Sequence, residues 1–301
     1  MLASAHEKGV GWASAAVFLS ASLWGVYWVP IRYFGGKGID GTWTLVLMNL
    51  PAALVLTVFV VATWRTQRPY LGAALLVGLG TGLGLACYGL GIVYGSVIRA
   101  TLLFYLTPVW STLIGLVWLG ERPGWQRWVA IALGLAGLGA LVAGNVGIPL
   151  NGGDVLAVFS GIFWAIGGSL IKRAGRIPMG GMSMAQYWVL CLSVMGFLLV
   201  AGPRPMPDAA VVIGLVPVFM IISLALILPG VALIFWASQF LFPGRVGLLM
   251  MSEVLVAVVT ASIFLPDERL ALLQWLGAAL IVGASIVELL PSRRRRGRGG
   301  A

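Results

Sequence analysis

The sequence predicts an all-α membrane protein with ten transmembrane helices, arranged as two inverted five-helix repeats. Three observations predict it: an apolar composition, ten long stretches with almost no charge, and motifs that recur in the same order in both halves. Apolar residues make up 60% of the chain and charged residues 9%, whereas a soluble domain has roughly 45–50% and about 25%. This composition excludes an ordinary soluble protein.

Ten windows supply the predicted spans. All but the ninth lack Asp, Glu, Lys and Arg, and most are long enough to cross a hydrocarbon core, which needs about 20 residues. In chain order the windows are 9–31, 41–64, 69–98, 100–120, 128–153, 155–171, 177–203, 209–244, 246–266 and 270–287, and only Glu253 interrupts the ninth. Because lipid offers no partner to a free peptide group, each window should form a helix.

The basic residues predict the orientation. If the spans alternate, 14 of the 19 Lys and Arg fall on one side of the membrane, including the run from Arg293 to Arg298. The positive-inside rule then places both termini in the cytoplasm. The tail, residues 292–301, is most simply an anchor to anionic lipid head groups, so the net charge of +10 does not imply a nucleic-acid partner.

Two motifs recur in both halves. The segment SASLWGVYWVPIR, residues 20–32, aligns without gaps with SGIFWAIGGSLIK, residues 160–172. Glu121-Arg122 precedes Trp128, and Glu268-Arg269 precedes Trp275 at the same spacing. We therefore predict repeats over 1–147 (spans 1–5) and 148–291 (spans 6–10). An odd number of spans inverts the second repeat, which is the geometry of alternating access.

The chain resembles a known family. LTPVWSTLIGLVWLGERPGWQRW, residues 106–128, and FLPDERLALLQWLGAALIVGAS, residues 264–285, are similar to the paired EamA repeats of the drug/metabolite transporter superfamily. The resemblance covers nearly the whole chain. It implies export of amino acids or related metabolites across a bacterial inner membrane, through a cavity lined by spans 1, 3, 4, 6, 8 and 9. Length and aromatic content are similar to those of aromatic amino-acid exporters.

One departure from the family pattern affects span 9. The family usually carries Glu-Pro in the second repeat, where this chain has Glu253-Val254. Pro108 supplies a bend to span 4, because a proline removes one helical hydrogen bond. The sequence therefore predicts that span 9 lacks the equivalent bend.

The predicted substrate-binding residues are aromatic or polar, and most fall near mid-bilayer. They are Trp24, Tyr27, Tyr88, Tyr105, Thr107, Trp110, Trp164, Ser252 and Glu253. Aromatic side chains from both halves can hold an apolar side chain and stack over an ammonium group. The alternative is that the tryptophans only fill the core or contact lipid.

Glu253 is the only acid at membrane depth, and an intramembrane carboxyl is a functional hypothesis by default. It can pair with a substrate amine or exchange a proton during transport. A protonated glutamate that only hydrogen-bonds a neighbouring carbonyl is the structural alternative.

Four further positions are predicted to kink or gate spans 1, 4 and 8: Pro30, Pro108, Pro229 and Gly230. The prolines can each free a carbonyl for an ammonium group, although a packing kink is the more common role. Span 3 carries glycines in three small-xxx-small pairs, at 78/82, 80/84 and 91/95, which favour close packing with a neighbour.

Absent motifs narrow the function. The sequence has no GxxxxGK[ST] segment, no HExxH and no GxSxG, and its only histidine is His6. We therefore predict a secondary transporter rather than an enzyme, without cofactor or metal. As the resemblance implies, we expect it to export amino acids, aromatic and other apolar ones included, to contact membrane lipid and to be monomeric. A drug or lipid exporter or flippase of the same fold is the alternative.

Overall fold

The computed structural model describes residues 2–95, 97–142, 151–201, 204–264 and 272–290, which form helices and, within those ranges, no strand. The second Glu-Arg motif, Glu268-Arg269, and the basic tail lie outside the described residues. Several of the predicted spans consist of two or more consecutive helices separated by short interruptions.

The first half contains eight helices within the described residues. They are α1 (Leu2–Trp24), α2 (Trp28–Gly35), α3 (Gly41–Ala62), α4 (Trp64–Gln67), α5 (Leu71–Tyr94), α6 (Val97–Phe104), α7 (Thr107–Trp118) and α8 (Trp125–Val142). Asp40 caps α3 by accepting a hydrogen bond from the Thr42 backbone N–H at 2.8 Å.

The second half contains seven helices and a π-helical segment over the described residues. They are α9 (Gly152–Ala174), α10 (Met179–Ala201), α11 (Ala209–Ile221), the π segment Ile222–Ile227, α12 (Leu228–Ser238), α13 (Pro243–Met250), α14 (Ser252–Phe264) and α15 (Leu272–Leu289). A capping box starts α9: the Asn151 and Asp154 side chains each accept the other's backbone N–H, at 3.1 and 2.9 Å.

Six helical stretches of the described chain are long and apolar enough to cross a membrane. They are Val10–Gly35, Gly41–Ala62, Trp64–Tyr94, Gly152–Ala174, Met179–Ala201 and Ala209–Ser238. Their outer faces are apolar as well: Leu199 and Val200, near the end of α10, are 87% and 89% exposed. Leucine and valine on an outer surface are suited to contact with lipid, so the chain is an all-helical membrane protein.

The prediction for span 9 was wrong. The helix is interrupted between α13 and α14 at Met251, although no proline lies at the junction. Two backbone hydrogen bonds that each span three residues close the turn. The Met251 N–H donates to the Leu248 carbonyl, and the Val254 N–H donates to the Met251 carbonyl. Side chains of other helices stabilise this interruption, as described below.

Glycines let α5 pack against two helices at once. On one face, Gly80 and Gly84 lie against the backbone of α9 at Gly167 and Trp164. On another face, Gly78 and Gly82 lie against α10, where added Cβ atoms would meet its backbone at 2.6–2.7 Å. The close packing predicted for this glycine-rich helix is therefore present.

The two halves interlock around the middle of the molecule. α1 contacts α12, α13 and α14, while α9 contacts α5, α6 and α7. α8 packs against α15, and α7 packs against α13. The interrupted helices α6–α7 and α13–α14 therefore face helices from the opposite half, and the candidate site lies between them.

Candidate functional site

Glu253 is the centre of a buried hydrogen-bond cluster. It lies in the first turn of α14 and is 3% exposed. The Tyr105 hydroxyl, between α6 and α7, lies 2.6 Å from Glu253 Oε2, and the Tyr88 hydroxyl of α5 lies 3.1 Å from Oε1. The first half thus supplies two hydroxyl groups to a buried acid of the second half.

The cluster extends by one further contact from each tyrosine. The Tyr88 hydroxyl is 3.1 Å from the Thr101 hydroxyl of α6. The Tyr105 hydroxyl is 3.0 Å from the carbonyl oxygen of Met250, the last residue of α13. Since Met250 is the last residue of α13, the cluster joins the acid to the helix interruption.

Aromatic rings line one side of this cluster. Phe104 lies at the end of α6, and its ring centroid is 4.8 Å from that of Tyr88 and 5.1 Å from that of Tyr105. The Trp164 ring of α9 meets Phe104 edge-on, with 6.5 Å between centroids. The acid therefore lies beside an aromatic wall that includes residues of both halves.

Trp164 also lines a small cleft. The cleft is bordered by five helices and by polar side chains, among them Thr81 of α5, Ser111 of α7 and Ser238 of α12. Ile234 and Val246 provide an apolar border. In this arrangement the cleft has room for about one water molecule.

A second aromatic pair lies on α1 at its interruption. The Trp24 and Tyr27 rings are 5.0 Å apart, and together with Leu226 and Ile227 they border a second small cleft. The Ser20 hydroxyl donates to the Gly230 carbonyl at 2.7 Å, so α1 is bonded to α12 just after Pro229. The Trp24 indole N–H is buried without a hydrogen-bond partner among the described residues.

The structure brings some predicted residues together and gives others separate contacts. Tyr88, Tyr105 and Glu253 form one cluster, and Trp164 joins it through Phe104. The Ser252 hydroxyl instead donates to the Phe18 carbonyl of α1 at 3.0 Å. Trp110 is half-buried on α7, and its indole N–H has no partner in the described part of the chain.

Thr107 and the predicted kink residues occupy helix interruptions. The Thr107 hydroxyl donates to the Phe104 carbonyl, one turn before Pro108. Pro30 lies in α2 just after the α1–α2 interruption, and Pro229 follows the π segment, where the Leu228 N–H bonds the Ser223 carbonyl. These positions are those at which a helical backbone has unpaired groups.

Sequence reasoning missed Thr101, Phe104, Asn49 and Gln186. Thr101 and Phe104 complete the Glu253 cluster and its aromatic wall. Asn49 and Gln186 are fully buried in α3 and α10, and the two amide atoms of Gln186 lack partners among the described residues. Amide side chains at the centre of apolar windows were a usable signal, because buried polar groups are rare in lipid.

The arrangement is suited to binding rather than to bond cleavage. A carboxyl group, tyrosine hydroxyls and aromatic rings can hold a cationic group and an apolar side chain. Within the described residues there is no group of three or more His, Cys, Asp or Glu that could hold a metal ion.

Comparisons with known proteins agree with a transport role. The model of the EamA-like transporter family matches residues 11–143 and again 151–289. An uncharacterized transporter of Archaeoglobus fulgidus is 25% identical over 287 residues, covering 92% of this chain and 96% of that protein. The uncharacterized transporter YvbV of Bacillus subtilis is 27% identical over 194 residues, covering 60% of this chain and 59% of YvbV.

The fold is shared with a solved structure. One crystal structure superposes with a TM-score of 0.67 over 92% of this chain and 96% of that chain, at 18% sequence identity. At this identity the likeness concerns the fold alone.

Proposed function

The chain belongs to the EamA-like transporter family, and on that premise we propose that it exports amino acids, aromatic and other apolar ones included, by alternating access. It is a membrane transporter of a small-molecule substrate. The proposal adds the substrate class, the direction and the mechanism.

The Glu253 cluster carries the proposal. An amino acid presents an ammonium group beside a side chain of variable size. Glu253 can pair with the ammonium group, while Phe104 and Trp164 lie within one aromatic wall beside it. Few fixed charges and many rings favour selection by size and apolarity, where one methylene changes affinity by only about 1–3 kcal/mol. Broad specificity follows. Because the length and aromatic content are similar, we propose that the chain resembles the aromatic amino-acid exporter YddG.

The helix contacts support ten spans in two inverted repeats. Joining the interrupted helices gives five spans in each half, with α1–α2 and α6–α7 in the first and α11–α12 and α13–α14 in the second. Corresponding helices also pack against the opposite half: α1 contacts α12 to α14, while its counterpart α9 contacts α5 to α7. The proposed boundary between residues 147 and 148 lies between the two family matches.

The proposed location is a bacterial inner membrane with both termini in the cytoplasm. The distribution of the lysines and arginines supports this orientation. One chain already contains both halves of the proposed site, so we propose a monomer surrounded by lipid, with no nucleic-acid partner.

The proposal is tested with purified full chain in liposomes. Labelled phenylalanine, tryptophan, leucine, lysine and glutamate are loaded inside, and efflux is compared with that from protein-free liposomes. We expect efflux of the aromatic and aliphatic amino acids and little efflux of glutamate. If no amino acid moves but labelled lipids or apolar dyes cross the membrane, the flippase or drug-exporter alternative replaces this proposal.

The role of Glu253 is tested in the same assay. Glu253→Gln should lower efflux at low substrate concentration by roughly 30-fold or more, because removing one partner of a buried charge pair costs about 2–5 kcal/mol. The matched control is Asp208→Asn, which removes an exposed carboxyl that caps α11. Equal efflux from both variants would exclude Glu253 as the ammonium partner.

A further inference from the structure

The number of hydrogen-bond contacts in the Glu253 cluster sets the number of protons that the cluster needs. Four oxygen–oxygen contacts connect five groups in one chain: the Met250 carbonyl, the Tyr105 hydroxyl, the Glu253 carboxyl, the Tyr88 hydroxyl and the Thr101 hydroxyl. Each contact has a length of 2.6 to 3.1 Å, which is a hydrogen-bond distance. Each therefore needs one proton between its two oxygens.

An ionised Glu253 leaves the chain one proton short. The three hydroxyl groups each carry one proton, and a carboxylate carries none. If Tyr105 donates to the carboxylate, it has no proton for the Met250 carbonyl 3.0 Å away. That carbonyl would face an oxygen lone pair in a buried site, which is unfavourable.

A protonated Glu253 completes the chain. The carboxyl then donates from Oε2 to the Tyr105 oxygen, and Tyr105 donates to the Met250 carbonyl. Oε1 accepts from Tyr88, which accepts from Thr101. Every contact then holds one proton, so the geometry fits the protonated acid.

The surroundings of Glu253 also favour a neutral group. The neighbouring titratable side chains in the described part of the chain are the phenols of Tyr27, Tyr88 and Tyr105. The helices that pack against α14 are α1, α6 and α15, and among their residues with described side chains there is no lysine or arginine. Within the described residues, no lysine or arginine pairs with Glu253.

We infer that Glu253 holds a proton in this substrate-free arrangement and exchanges it for the ammonium group of the substrate. The inference rests on the proposed function for the identity of that cation. The O–H bond of Glu253 breaks, the proton leaves to water, and the carboxylate pairs with the incoming ammonium group. The ammonium group takes the place of the proton as the positive charge on Glu253, while the α-carboxylate of the amino acid keeps its own negative charge outside this exchange. Once the proton has left, Tyr105 donates to the Glu253 carboxylate and no longer to the Met250 carbonyl. That carbonyl lies at the α13–α14 interruption, so loss of the proton changes a hydrogen bond of the helix backbone.

The proton is tested without any substrate. Infrared spectra of the reconstituted full chain near neutral pH should show the carbonyl stretch of a protonated carboxyl in the wild type and in Asp208→Asn. The band should be missing in Glu253→Gln and shifted in frequency in Glu253→Asp, which keeps a carboxyl if glutamine impairs folding. Identical wild-type and Glu253→Gln spectra would overturn the inference.

The exchange is tested by proton release. Phenylalanine added to weakly buffered protein should release about one proton for each molecule bound, since a protonated carboxyl carries one O–H. Phenylalanine binding without proton release would overturn the exchange. If the infrared band is present but no amino acid binds or is transported, the proposed function fails and the assignment of the proton stands.

Discussion

The α6–α7 and α13–α14 pairs are both interrupted helices, but the two interruptions have different causes. Pro108 has no N–H, so the Phe104 carbonyl loses the donor that a continuous helix would provide. The Thr107 hydroxyl, from the same turn, donates to that carbonyl instead. The cause of this interruption, Pro108, and the replacement donor, the Thr107 hydroxyl, therefore lie in the same turn.

The α13–α14 interruption has no proline and depends on other helices. The Val254 N–H bonds the Met251 carbonyl rather than the Met250 carbonyl, which is then contacted by Tyr105. The Ser252 hydroxyl donates to the Phe18 carbonyl of α1, and Gly25, just after α1, lies so close that an added Cβ would meet the Glu253 carbonyl at 2.7 Å. Its conformation is thus set by side chains of the first half.

The difference teaches which interruption can respond to a ligand. A proline fixes the bend in every state of the protein. A bend that depends on Tyr105 and Glu253 can change when their hydrogen bonds change. We therefore assign the fixed bend to α6–α7 and the responsive bend to α13–α14.

Removing the fixed bend should have the largest effect on transport. In Pro108→Ala the restored N–H can bond the Phe104 carbonyl beside the Thr107 hydroxyl, and because Pro108 lies in the first turn of α7 the free energy of unfolding should rise by only about 1 kcal/mol or less. Transport should slow, because α6 and α7 become one stiffer helix. The stability is measured by SDS-induced unfolding in mixed micelles, and the rate by efflux from liposomes.

Pro51→Ala is the matched control for this variant. Pro51 lies inside α3, which is continuous on both sides of it. Its replacement should change stability without slowing efflux. If both replacements slow efflux equally, the bend at Pro108 has no specific role.

Much of this comparison was readable in the sequence, and part of it was not. Pro108 predicted the first interruption because a missing N–H is a local property of one residue. The second was predicted to be absent because Val254 stands where the family usually has a proline. The interruption could not be read from the sequence, because the partners of Met250 and Glu253 lie far away along the chain, on α5, α6 and the α6–α7 junction. Glu253 itself was predicted as a site residue from its charge in an apolar window. Thr101 and Phe104 were missed, since a threonine and a phenylalanine are ordinary in a membrane helix until their neighbours are known.

The dependence of the second interruption on Tyr105 is measurable as an energetic coupling. Tyr105→Phe leaves the buried Met250 carbonyl without its donor and the protonated Glu253 without its acceptor, and should destabilise the protein by about 1–3 kcal/mol. Combined with Glu253→Gln, its effect should be non-additive by about 0.5–3 kcal/mol, because the two residues share a hydrogen bond. The readout is a double-mutant cycle on the free energy of unfolding.

Thr107→Val supplies the comparison for that cycle. In the described part of the chain the Thr107 hydroxyl bonds within its own turn, so the effect of Thr107→Val should add to that of Glu253→Gln within about 0.5 kcal/mol. Strong coupling of Thr107 to Glu253 would mean that the first interruption is not self-contained.

The smallest effect is expected where a proline is added to the bend that lacks one. Val254 lies in the first turn of α14, where a proline removes only the bond to Met251 and not a helical bond to Met250. Val254→Pro should therefore lower the free energy of unfolding by about 1 kcal/mol or less, whereas Ala257→Pro, inside the same helix, should lower it by about 3 kcal/mol. Because the proline fixes the bend, proton release on phenylalanine binding should persist while efflux slows. Equal destabilisation by the two prolines would show that α13–α14 is continuous in the membrane and that its bend does not exist there.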